Sequence, residues 1–166
     1  MSAIAQTPTT AETPEALTGD LCWLLSRASH ALMTESTAAL EQWGISPREH
    51  SVLAAAMTAP HTQIELARLV GLDKTTMVVT VDALEAAGLA ERRPSSSDRR
   101  ARVVAVTKAG ERKVREAEEV LDRVRDDVLG MLEPADRKAF LSALSQLACG
   151  RLAEPVQCAH AVRRRV

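Results

Sequence analysis

The chain has 166 residues, 46% of them hydrophobic, and a formal net charge of -1. That length and apolar content exclude general disorder and allow one well-packed domain or two small lobes sharing a core. With Trp23, Trp43 and Phe140 as its only aromatics and no tyrosine, the core must be built from Leu, Val, Ala and Met, a composition that favours helices.

Residues 1–16, MSAIAQTPTTAETPEA, are polar and read as a disordered tail. They lack the positive start and apolar centre of a signal peptide, and no apolar run approaches the ~20 residues that span a bilayer. A cytoplasmic protein with no membrane partner is expected. From Thr18 to Trp43, Leu21, Leu24, Leu25, Ala28 and Leu32 recur at helical spacing, and Gly44 supplies a stop. Ser46 and Glu49 form a capping box with Pro47 at the first helical position, so a second helix starts there and ends before Pro60. Thr62 and Glu65 repeat the device for a third helix, about Gln63 to Val70, closed by Gly71. Asp73 then caps a fourth helix, Lys74 to Ala87, closed by Gly88. Two helices joined by a short glycine-containing turn make a helix-turn-helix.

Leu89 to Arg93, a Pro-Ser-Ser-Ser-Asp turn, and Arg102 to Val106 read as a β-hairpin. Arg92, Arg93, Arg99, Arg100 and Arg102 face only Glu91 and Asp98 in this stretch. A chain with a near-neutral total has no general need of such a cluster, so its charge is aimed at a polyanion. Thr107 caps a long helix in which Val114, Ala117, Leu121, Val124, Val128 and Met131 alternate steps of three and four, a helix-packing seam. Pro134 opens a last helix carrying Phe140, Leu141, Leu144 and Leu147, ending near Gly150. The expected fold is mainly α with a small β-hairpin wing: a winged helix-turn-helix over 45–107, a helical dimerisation region from 17–44 and 108–152, and a tail over 153–166.

Helix, turn, helix, hairpin in this order, and above all the segment LDKTTMVVTVDALEAAGLAERRPSSSDRRARVVAVTKAG, resemble the MarR family of bacterial transcriptional regulators over roughly Leu17 to Leu152. The resemblance implies a homodimer whose terminal helices pair and whose two winged helices lie over successive major grooves of a pseudo-palindromic operator, half-sites ~34 Å apart. It also implies repression relieved by a small aromatic or phenolic effector, a metal or an oxidant.

On that reading Lys74, Thr75, Thr76 and Thr80 reach base edges or flanking phosphates from the recognition helix, while Val79 stands where the family often has arginine, leaving specificity to lean on groove shape. Arg99 and Arg100 at the wing tip suit minor-groove insertion. Asp98 would hold Arg100 or Arg102 in place, and Arg92, Arg93, Ser95, Ser96 and Ser97 would contact phosphate. A solvated charged hairpin is the plainer alternative.

For the signal, Trp23, Arg27 and His30 share a face of the first helix, and the second begins with Arg48 and His50. If they meet, an arginine can pair with a carboxylate or phenolate while Trp23 stacks on a ring. Trp23-x-x-x-Arg27 is similar to the urate-responsive branch of the family, with Asp73 as a further partner. Core packing and surface ion pairs are the competing reading. Cys22, in LTGDLCWLL, resembles the cysteine segment of the peroxide-sensing branch, which positions its thiolate with tyrosines that this chain lacks. Redox response through Cys22, with Cys149 or Cys158 resolving, is therefore an alternative to a cysteine that simply packs. Three widely spaced cysteines make no disulfide framework, and His30, His50 and His61 have no metal-ligand motif. No glycine-rich phosphate loop, HExxH or nucleophile elbow is present, so neither enzymatic activity nor a cofactor is expected. A winged helix that binds another protein is the rival class.

Overall fold

A computed structural model describes residues 14–95 and 100–154. The chain divides into two compact units, Met1–Val124 and Arg125–Val166. The first contains α1 (Glu15–Thr18), α2 (Leu21–Leu40) with a 3-10 turn Glu41–Trp43, α3 (Pro47–Ala56), β1 (His61–Thr62), α4 (Gln63–Val70), α5 (Lys74–Ala86), β2 (Ala90–Pro94), β3 (Arg102–Val106) and most of α6 (Lys108–Gly130). The second holds the end of α6, α7 (Pro134–Gln146) and a π turn, Leu147–Arg151. Among the described residues no helix is long and apolar enough to cross a membrane.

Local signals set most boundaries. The Ser46 hydroxyl accepts from Glu49 N at 3.2 Å while the Glu49 carboxylate accepts from Ser46 N at 2.8 Å, a complete capping box, and Thr62 and Glu65 repeat it at the head of α4. Those Thr62 bonds, the backbone N–H first, hold the Glu65 carboxyl below its ordinary value. Gly44 and Gly71 end their helices with φ of 62° and 69°, a left-handed conformation that side chains with a Cβ resist. The first long helix departs from expectation at its start. It begins at Leu21 rather than Thr18, with Asp20 as N-cap accepting from Trp23 N at 2.7 Å, and Gly19 separates it from the single turn of α1, which includes Glu15 and Ala16.

Three antiparallel strands lie in the order β1-β3-β2. The hairpin runs in register from Ala90↔Val106 to Pro94↔Arg102, and His61 and Thr62 pair with Val104 and Val103 on the other edge of β3. Beneath it Leu40, Leu53, Leu66, Met77, Leu84 and Val104 are fully buried, each such aliphatic side chain stabilising by roughly 1.5–3 kcal/mol. This core does not stop at residues 45 and 107: Leu40 from α2 and Val114, Ala117 and Val120 from α6 belong to it. Val120, outside the expected seam, is buried, whereas Val128 near the end of α6 and Met131 just after it are exposed.

β3 and α6 are joined by a tight knot. Thr107 N donates to the Leu89 carbonyl at 3.0 Å, the Thr107 hydroxyl donates to the Gly88 carbonyl at 2.8 Å, and Gly110 N donates to the Thr107 hydroxyl at 3.1 Å. Gly110 is pressed so closely on this corner that a Cβ there would overlap the Leu89 carbonyl oxygen and stand 2.7 Å from Val106 Cγ1. The T-x-x-G segment is a packing device.

Candidate nucleic-acid interface

The first turn of α5 is built for presentation. Asp73 accepts from Thr76 N at 2.9 Å and from the Thr76 hydroxyl at 2.5 Å; the hydroxyl bond above all, then the backbone bond, holds the Asp73 carboxyl below its ordinary value. The anion at the helix N-terminus also matches the helix dipole. Lys74 and Thr75 are exposed beside this cap, while Thr76 is half-buried with its hydroxyl committed. Thr80, expected to reach DNA, does not: it is 5% exposed and its hydroxyl donates to the Thr76 carbonyl at 2.8 Å. Its spacing from Met77 and Leu84 places it on the core side of the helix. The outward face carries Val78 and Val79 instead.

A groove of about 570 Å³ runs between α4, α5 and the start of β3, lined among others by Ile64, Arg68, Lys74, Val78 and Arg102. It brings Lys74 of the helix and Arg102 of the wing to one surface, with Arg68, which sequence reasoning passed over.

Arg92 requires a correction. Rather than facing phosphate, its guanidinium turns back on the helix-turn-helix: Nε donates to Gln63 Oε1 at 3.0 Å, Nη2 to Asp82 at 2.6 Å and Nη1 to Glu85, while its backbone N donates to the other Glu85 oxygen at 2.6 Å. One side chain thus ties β2 to both α4 and α5. Arg93 pairs with Glu91 and is exposed. Arg100 and Arg102 are exposed, and Ser95 N donates to the Ala101 carbonyl at 3.0 Å across the hairpin. Ser96, Ser97, Asp98 and Arg99 lie outside the described residues.

The five residues proposed to sense an effector do not form one cluster. His30 and Arg48 line an open pocket of about 680 Å³ between α2 and α3, floored by Leu40 and Ile45. Trp23 and Arg27 engage each other, the guanidinium carbon 5.5 Å from the ring centroid. His50 faces α6. Its Nε2 is buried with no partner among the described residues, and burial pushes its pKa below 6.5 against the opposing pull of Glu118 and Asp122. The fold thus accommodates the neutral ring. The stability this gives is fully present above pH 6.5, and is lost as pH falls from there through the lower folded-state value, because the unfolded chain then binds the extra proton. His50→Gln is expected to flatten the decline in melting temperature between pH 7.5 and 5.5; an unaltered pH profile would assign the acid sensitivity elsewhere.

The thiols of Cys22 and Cys149 are exposed, so Cys22 is not a core residue of this chain; Cys158 lies outside the described residues. Among the described residues no group of three or more potential metal ligands converges.

A helix-turn-helix whose second helix projects beside an arginine-bearing hairpin defines a winged-helix DNA-binding protein. The comparisons agree. A sequence model of the MarR family matches residues 43–101. A MarR-family transcriptional regulator from Rhodococcus sp. RHA1 is 28% identical, with 82% of this chain and 99% of that one covered and a TM-score of 0.75. CouR from Rhodococcus jostii RHA1 bound to p-coumaroyl-CoA is 28% identical, covering 87% of this chain and 99% of that one at a TM-score of 0.73. The transcriptional repressor CouR bound to a 23-mer DNA duplex matches at 28% identity, 82% and 97% coverage and a TM-score of 0.74. Residues 43–101 carry the match to the MarR family, and the chain over most of its length is similar to MarR-family transcriptional regulators.

Proposed function

We propose that the protein is a homodimeric, sequence-specific repressor that binds a pseudo-palindromic operator and is released by a small-molecule effector. The observation that carries DNA binding is the groove surface shared by Arg68, Lys74 of α5 and Arg102 of the hairpin, with Thr75 and Arg100 exposed close by in sequence. The CouR–duplex complex supports it, as a likeness. Dimerisation is supported by apolar side chains that one chain leaves exposed: Leu21, Leu24, Leu32 and Met33 on α2, and Met131, Phe140 and Leu141 in the second unit. Effector release is supported by the pocket holding His30 and Arg48, whose apolar floor suits an aromatic or acyl group and whose rim sets Arg48 beside Glu41 as polar anchors, and by the acyl-CoA thioester bound to CouR.

Footprinting on the promoter of the chain's own gene, with light scattering for the dimer, tests the reading. Operator affinity should fall steeply from low to moderate salt, whereas a protein-interaction module would be nearly indifferent. Arg100→Ala should weaken operator binding and lower the salt slope by about 1 per protomer; unchanged affinity and slope would remove Arg100 from the interface. The exposed Cys22 thiol supports a second reading, thiol-based release, which diamide titration without loss of operator binding would dismiss.

A further inference from the structure

The outward face of α5 changes character after its first turn. Lys74 and Thr75 offer polar groups to a base edge, but the Thr76 hydroxyl is committed to Asp73 and that of Thr80 to a backbone carbonyl. Asp82 is held by Arg92. What the middle of the helix presents is Val79, 63% exposed, beside Val78, 38% exposed, followed by exposed Ala83 and Ala86. Two β-branched side chains, stiff at χ1 in a helix, form a rigid apolar surface at the point where a recognition helix enters its target.

We infer that Val78 and Val79 are specificity-determining residues that read thymine methyl groups in the major groove. The thymine C5 methyl is the one apolar feature the four bases present there, so an apolar helix face can distinguish base pairs in that groove only through it. The cations bordering the valines favour this occupant over an apolar peptide: Arg68, Lys74 and Arg102 share the groove that Val78 lines, which suits phosphates on either side of a base edge. The inference rests on α5 being the helix that enters DNA, and it departs from the expectation that specificity leans on groove shape.

Duplexes selected from a randomised pool by the purified full-length protein provide the test. Each thymine of the selected site is replaced by deoxyuridine, which keeps every base-pairing and hydrogen-bonding group and removes only the methyl. One or two neighbouring thymines per half-site should each lose about three- to fivefold in affinity, the effect of one buried methyl-sized group, while the others lose less than twofold. In Val78→Ala and Val79→Ala proteins those losses should disappear; both sites are exposed and alanine is the better helix former, so folding is not at issue. A selected site indifferent to every methyl, or losses unchanged in both variants, overturns the inference and leaves sequence-specific binding standing. Failure to select any duplex removes the DNA-binding reading and this one with it.

Discussion

Gly110→Ala should lower the stability of the protein by about 2–4 kcal/mol, at and above the top of the roughly 1–3 kcal/mol that forcing volume into a packed site typically costs. The added methyl would fall on the Leu89 carbonyl oxygen and against Val106 Cγ1. Of these, the carbonyl cannot swing aside as a side chain does. It follows the Gly88 turn at φ 69° and accepts the Thr107 N–H, so relief requires moving the start of α6 off the hairpin. Helix propensity pulls the other way, since alanine gains up to ~1 kcal/mol over glycine in a helix interior, and the overlap outweighs it. In thermal melts a fall of roughly 5–15 °C is expected at this chain length. A variant as stable as the parent would show that the corner relaxes freely.

Arg92→Ala should reduce operator affinity at least tenfold, about 1.4 kcal/mol, yet leave the salt slope intact. That separates it from Arg100→Ala, where slope and affinity fall together. Arg92 is the wing's positioning residue: without it Glu85, 32% exposed at its side chain, keeps a charge with no guanidinium opposite, and Gln63 loses its donor. Breaking such a pair costs several kcal/mol when fully buried; with Asp82 59% exposed, about 1–3 kcal/mol of stability is expected here. Because the two residues act as a unit, Arg92→Ala combined with Glu85→Gln should cost less than the sum of the single changes. Additive losses, or a salt slope that drops by one, would return Arg92 to the phosphates.

Much of this was legible before any coordinates, for reasons that are local. The boxes at Ser46 and Thr62, the Asp73 cap and the glycines at 44, 71 and 88 act within four residues of themselves, so α4 appears at the limits its sequence signals set. The two-residue strand β1 left no periodicity, and Thr62 already had a reading as an N-cap, so the third strand went unseen. Thr80 was misplaced although its spacing from Met77 and Leu84 marks the buried side of α5; its residue type outweighed its phase. For Arg92, counting charges along the hairpin found the cation but not its partners. Asp82 and Glu85 meet it only after Gly88 reverses the chain, and Gln63 lies 29 positions away. Likewise Trp23 and Arg27 were correctly given one helix face, but spacing alone could not show that each would occupy the other.

The corner where Leu89, Thr107 and Gly110 interlock makes the root of the hairpin and the first turns of α6 a single stiff crank. Two strands of five residues reach ~17 Å beyond it, so turning the shaft by ~10° carries the far end of the finger ~3 Å, about the length of one hydrogen bond. A small angular play of the shaft would then be enough to part a wing guanidinium from any phosphate it contacts.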